Sequence, residues 1–241
     1  MKFLKKYRVL IIVLATFSSL SIYRLLHQKS LTPQLVHFNV AQQTFEQYHD
    51  QSQFESYKQQ LSTYYLSGAY EQDVANICKT AEDHFSKIVP KNKDIIIFDI
   101  DDTTLYHYQW FDKFEFIWAH QPQRIKALEY KSDPPIMPVL ELYNFLINKG
   151  FTTIFLSSRN AGSYEQTKKE LTDAGYKNFK EIILMPDVLA FDRAIKTEDW
   201  KLQARKELAE KYTIIGNVGD REKDFVGGYS GYKVKLPNYL Y

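Results

Sequence analysis

Ile95-Ile96-Ile97-Phe98-Asp99-Ile100-Asp101-Asp102-Thr103-Thr104-Leu105 decides the fold. Four apolar residues, three of them β-branched, run straight into a cluster of acids and threonines. A short run of this kind suits a fully buried strand of a parallel sheet better than a helix. The acids then fall at the strand's carboxyl end, where open α/β sheets bind their ligands. Carboxylates this close together are costly unless a metal or a protonated partner joins them. A polar loop that merely ends a strand is the competing reading.

Other runs downstream end in the same way. Phe151-Thr152-Thr153-Ile154-Phe155-Leu156 closes on Ser157-Ser158-Arg159-Asn160. Ile182-Ile183-Leu184-Met185 is a further short strand. Tyr212-Thr213-Ile214-Ile215-Gly216-Asn217-Val218-Gly219-Asp220 runs into a Gly-Asp turn and then Arg221-Glu222-Lys223-Asp224. Helical stretches separate them. Pro138 to Lys149 carries Val139, Leu140, Leu142, Phe145 and Leu146, and Gly150 stands where a helix ends. Ser163 to Ala174 reads as a helix closed by Gly175, and Trp200-Lys201-x-x-x-Arg205 lies on another.

Taken together these segments resemble the four motifs of the haloacid dehalogenase (HAD) superfamily. Asp99-x-Asp101-x-Thr103 is similar to motif I, Ser157 to motif II, Lys201 to motif III, and Gly219-Asp220-x-x-x-Asp224 to motif IV. The fold implied is a HAD-type α/β domain, a doubly wound and mostly parallel sheet with a small helical cap and an N-terminal helical preface. The resemblance is strongest to the acid phosphatase branch that includes class B-like enzymes and vegetative storage proteins. Ser67-Gly68-x-Tyr70-x-x-Asp73, Trp200-Lys201-x-x-x-Arg205 and the terminus Lys235-Leu236-Pro237-Asn238 all look like that branch. Departures are Trp200 for a tyrosine, Arg221-Glu222-Lys223 inside motif IV, and Tyr239 where a proline is expected.

The resemblance implies a chemistry. Asp99 would attack phosphorus and carry an aspartyl-phosphate. Asp101 would protonate the leaving alcohol and then activate water. Ser157, Ser158 and Lys201 would hold the phosphoryl group. Mg2+ would be bound by Asp99, the backbone carbonyl of Asp101 and Asp220, with Asp224 ligating or orienting a metal-bound water. A carboxylate-only set suits a hard cation, and no His/Cys spacing suggests zinc. Lys196 competes with Lys201 for the motif III role. The expected substrate is a small phosphomonoester, and the expected optimum is acidic. A non-catalytic exported binding or storage protein, and a phosphotransferase using the same site, stay open.

The regions before and between the motifs read as support. Phe45, Tyr48, Phe54, Tyr57 and Leu61 recur at helical intervals, and Gly68 interrupts that pattern. A second helix is expected to about Lys87, with Val74, Ile77, Cys78, Ala81 and Phe85 inward. Residues 31–93 therefore form a linker and helices packed on a core of residues 94–241. An aromatic-rich insertion over about residues 105–135 forms the cap. His107, within it, has no partner visible in sequence.

Residues 1–30 hold Lys2, Lys5, Lys6, Arg8, Arg24 and Lys29 and no acid. Without them 25 Lys and Arg face 29 Asp and Glu, so the body is mildly acidic and no nucleic-acid surface is indicated. The basic start followed by an uncharged run over residues 9–23 reads as a signal peptide or a signal anchor. The protein is expected outside the cytosol, periplasmic or extracellular, with a membrane tether if the leader is kept. Cys78 is the only cysteine, so no intrachain disulfide is available.

Overall fold

The protein was analysed as a computed structural model, which describes residues 51–109, 133–187 and 196–240, with side chains from residue 55 onward. The leader, most of the linker, residues 110–132 of the insertion and Lys196's neighbours over 188–195 lie outside the described residues.

Five strands form one sheet in the order β3-β2-β1-β4-β5: β1 Asp94–Phe98, β2 Thr152–Asn160, β3 Glu181–Met185, β4 Thr213–Gly219 and β5 Tyr232–Lys235. Every neighbouring pair is parallel. β1 is central, and all five of its residues are buried. That burial on both faces is why its sequence is continuously apolar rather than alternating. The chain winds to one side of β1 through β2 and β3, then returns to its other side as β4 and β5.

Helices cover both faces. α1 (Gln51–Leu66) and α2 (Ala69–Ser86) precede β1, and α3 (Met137–Lys149) precedes β2. α4 (Tyr164–Asp173) and α5 (Thr197–Ala209) complete the crossovers. Gly68, between α1 and α2, has φ +89°, a left-handed conformation that glycine adopts without a Cβ penalty. On one face Ile95 and Ile97 pack with Ile154, Leu156, Trp200, Ala204 and Leu208, so α5 docks through residues four apart. On the other, Phe98 meets Tyr143 edge-on at 5.4 Å. Phe85 of α2 lies edge-on to Phe151 at 5.9 Å. A Cβ on Gly216 would come within 2.5 Å of Phe85 Cζ, so this strand position admits α2 only as glycine.

The fifth strand was not expected from the sequence. Its burial pattern is mixed and its run is only Tyr232–Lys235. α1 runs to Leu66, beyond the last apolar residue of the expected pattern. The insertion leaves the sheet through a closed stem. Tyr106 N–H donates to Pro134 O at 2.9 Å, and Ile136 N–H to Thr104 O at 3.0 Å. Among the described residues no helix is long and apolar enough to cross a membrane.

Phe85 is fully buried between α2 and the sheet. Truncation there should leave a cavity as well as lose apolar contact. Phe85→Ala is expected to lower unfolding free energy by about 3–5 kcal/mol in urea titration. A loss under about 1 kcal/mol would show that α2 contributes little to the core.

Candidate active site

The sheet reverses its winding between β1 and β4, and ligands bind at such a switch point, outside the carboxyl ends of the strands. Asp99 follows the last residue of β1, and its N–H donates to Val218 O at 2.9 Å. Asp220 follows the last residue of the adjacent β4. Asp224 is one turn on, in the short helix Glu222–Asp224, where its Oδ2 accepts the Arg221 N–H at 2.9 Å. A Cβ on Gly219 would lie 2.5 Å from Asp224 Oδ2, so the close turn requires glycine.

Lys201 joins these acids. It is buried on α5, next to the docking residue Trp200. Its Nζ lies 2.6 Å from Asp99 Oδ1 and 2.5 Å from Asp224 Oδ1. Arg205, one turn further on the same face, donates to the carbonyls of Val226 and Gly228 and so holds the loop after Asp224. Lys196 is exposed ahead of the first turn of α5.

Asp220 is fixed from both sides of its carboxylate. Thr103 Oγ1 donates to Oδ1 at 2.9 Å, and Asn238 Nδ2 donates to Oδ2 at 2.5 Å. Lys235 Nζ donates to the Asp220 backbone carbonyl at 2.7 Å.

These buried charges do not balance. Burial raises the Asp99 carboxyl above its ordinary range, with Lys201 opposing and Asp224 adding to the rise. Burial also raises Asp220, as do Asp99, Asp224 and Asp102, and it reaches about 8. Lys201 is held above its usual value by Asp99 and Asp224, although burial works against its charge. One carboxylate oxygen from each of Asp99, Asp220 and Asp224 lies within 4.8 Å of the others. Two of these three buried acids, Asp99 and Asp224, contact the Lys201 ammonium, while Lys235 reaches only the backbone carbonyl of Asp220. An all-oxygen set with surplus negative charge fits a divalent cation.

Asp101 faces a different environment. Arg159 donates to its Oδ1 from Nη2 at 2.8 Å and from Nε at 3.0 Å. Glu170 holds the far side of that guanidinium at 2.8 Å. His107 Nε2 lies 3.2 Å from Asp101 Oδ1 and 3.0 Å from Asp133 Oδ2. Its Nδ1 lies 3.6 Å from Asp102 Oδ1. Burial works to lower the imidazole pKa, but Asp102, Asp133 and Asp101 outweigh it and raise it to about 10. The Asp102 N–H also approaches Nδ1, at 3.3 Å, a contact that suits the neutral ring. With three carboxylates around it, the protonated ring is the favoured form.

Strand pairing places the remaining expected residues. Phe98 pairs with Phe155, so Ser157 lies within β2 just past the level of Asp99, and the strand continues to Asn160. Ser157 is buried and its Oγ accepts the Arg159 N–H at 3.3 Å, while Ser158 is half-buried on the alternate side of the pleat. The structure therefore brings Asp99, Lys201, Asp220 and Asp224 together and sets Asp101 beside Arg159. Sequence reasoning left His107 unassigned and missed Asp133, Glu170 and Asn238. The separations are 26 positions for His107–Asp133, 18 for Asn238–Asp220 and 11 for Glu170–Arg159, which no local pattern reports.

A fold of this winding, with acids at the β1 and β4 tips and a buried lysine between them, defines a HAD-type phosphomonoester hydrolase. The model of HAD superfamily subfamily IIIB (acid phosphatase) matches residues 24–241, and the chain belongs to that family. Among relatives, the stem 28 kDa glycoprotein of Glycine max is 30% identical over 188 residues, 73% of this chain and 71% of that protein. Vegetative storage protein 2 of Arabidopsis thaliana is 30% identical over 185 residues, 73% of this chain and 67% of that protein. Acid phosphatase 1 of Solanum lycopersicum is 25% identical over 195 residues, 75% of this chain and 72% of that protein. In fold, the class C acid phosphatase from Bacillus anthracis superposes with TM-score 0.61 at 17% identity, covering 77% of this chain and 86% of that one.

The two candidate lysines can be told apart directly. Lys201→Met is expected to abolish p-nitrophenyl phosphate hydrolysis, because it leaves Asp99 and Asp224 without their cation. Lys196→Met, at an exposed position, is expected to keep wild-type turnover. The opposite pattern in a rate assay would assign the role to Lys196.

Proposed function

We propose that the protein is a Mg2+-dependent acid phosphatase acting on small phosphomonoesters through an aspartyl-phosphate on Asp99. The observation that carries this reading is Asp99, buried at the switch point, in contact with Lys201 and within one carboxylate cluster with Asp220 and Asp224.

In the first step an Asp99 carboxylate oxygen attacks phosphorus, and the bond from phosphorus to the ester oxygen breaks. Asp101 gives its proton to that departing oxygen. In the second step water attacks phosphorus and loses a proton to Asp101. The acyl-phosphate bond breaks, phosphate leaves and Asp99 is restored. Lys201 works against the rise that burial imposes on Asp99 and offers a cation to the phosphoryl oxygens. Ser157, on the adjacent strand β2, offers its hydroxyl, and Ser158 its backbone N–H. Asp99, the Asp101 backbone carbonyl and Asp220 would hold Mg2+, with Asp224 ligating or orienting a water. Bound there, Mg2+ would offset the charge shared by Asp99 and the incoming phosphate.

Two demands set the working pH. One is the acidic optimum that the acid phosphatase family points to. The metal ligands pull the other way, because Asp220 without metal keeps its proton up to about pH 8. Its carboxyl is raised relative to the unfolded chain, so its contribution to stability is present at low pH and lost as pH rises toward 8. A bound cation removes that loss. Mg2+ should therefore raise Tm more at alkaline than at acidic pH, and the rate should peak on the acidic side. The experiment is phosphate release from p-nitrophenyl phosphate across acidic to alkaline pH, with Mg2+ and with EDTA. Metal-dependent release with an acidic maximum is expected. Metal-independent release, or a maximum above neutrality, would contradict the reading.

Vegetative storage proteins among the relatives give a second reading some support, a binding or storage role on the same scaffold. The joint presence of Asp99, Asp101, Lys201 and Asp220 favours hydrolysis, and phosphotransfer would differ only in the attacking acceptor. Export is supported by the basic, then apolar, residues 1–30. In a fractionated host the full chain is expected outside the cytosol, and accumulation in the cytosol would contradict export.

A further inference from the structure

We propose that Asn238 positions the metal ligand Asp220, and that helix α1 holds Asn238 in place through the backbone of Tyr239. This rests on the metal reading above. Asp220 has one carboxylate oxygen tied to Thr103, within the Asp99–Thr103 segment itself. The other oxygen is tied to Asn238, which lies after the last strand.

The amide is oriented by its own turn. Asn238 Oδ1 accepts the Leu240 N–H at 2.8 Å, which leaves Nδ2 to donate toward Asp220. The turn is fastened at its next residue. Tyr65 Oη accepts the Tyr239 N–H at 3.1 Å, and Tyr57 Oη donates to the Tyr239 carbonyl at 2.8 Å. Both tyrosines belong to α1. Tyr65 is itself held by rings, stacked on Tyr108 at 4.9 Å and tilted against Tyr70 at 4.7 Å. Tyr239 occupies the position where the resembled branch has proline. A proline has no N–H to give, so the Tyr65 contact depends on this departure.

The helical preface thus reaches the metal cluster through two hydrogen bonds and one turn. A donor that orients a ligating carboxylate selects the rotamer that faces the cation and disfavours the others, and losing such a partner typically weakens metal affinity about 10–100-fold.

The test is direct metal binding to the purified full-length protein, with Mn2+ read by electron paramagnetic resonance and Mg2+ by calorimetry. Asn238→Leu removes the donor at similar size. Tyr65→Phe keeps the ring in its stack and removes only the hydroxyl. Asn238→Leu is expected to raise the metal Kd about 10–100-fold. Tyr65→Phe is expected to raise it less, in the same direction. Tm in EDTA should match wild type for Tyr65→Phe, and the gain in Tm on adding metal should shrink in both variants. Wild-type binding with unchanged affinity in both variants would overturn this inference and leave the metal reading standing. A wild-type protein that binds neither Mn2+ nor Mg2+ would overturn the metal reading and this inference with it.

Discussion

The contact between Lys201 and the two carboxylates of Asp99 and Asp224 is the constraint on which the site depends. Burying an acid at a strand tip is unfavourable, and this fold buries three within reach of one another. Much of the surrounding architecture supplies what they need. α5 brings the ammonium from the face of the sheet opposite α2 and α3. The glycine turn after β4 lets Asp224 fold back against its own strand. The remaining negative charge is what makes the cluster fit a divalent cation.

Asp101 is only two residues from Asp99 yet lives in a different field. Strand alternation ends at Phe98, and the chain turns sharply, with Asp102 at φ +56°. The turn sends Asp99 toward Lys201 and Asp101 toward Arg159 and His107. Two carboxylates with separate electrostatic surroundings are the requirement for one nucleophile and one acid in a single reaction. His107 also ties this turn to Asp133, at the far end of the insertion. The stem of the insertion and Asp101 are therefore joined by close charge contacts through His107.

The core of the fold was legible in the sequence because its signals are local. A run such as Ile95–Phe98 can be little else than a buried strand, and the acid spacing after it is contiguous. Lys201 stood out less from the sequence, since a lysine on a helix is usually solvated and Lys196 lay near. What brings it to Asp99 is the docking of Trp200, Ala204 and Leu208, a property of packing rather than of the residue. β5 was missed because an edge strand of four residues with alternating lysines carries almost no apolar signal. The contacts of Asn238 and His107 were missed for another reason. They are made to partners brought from distant segments, and Asn238 reads in sequence as a polar residue of a tail.

The α1–tail contact and the carboxylate cluster share one logic: donors are placed where oxygens would otherwise be unpartnered. The central claim built on that cluster is a covalent step at Asp99. The measurement that tests it most directly is acid-quenched peptide mapping of enzyme turning over p-nitrophenyl phosphate, run beside Asp101→Asn, whose second step lacks its base. The account predicts a phosphoryl group on Asp99, sensitive to hydroxylamine and enriched in the Asp101→Asn protein. A phosphoryl group on another residue, or none on Asp99 in either active protein, would contradict it.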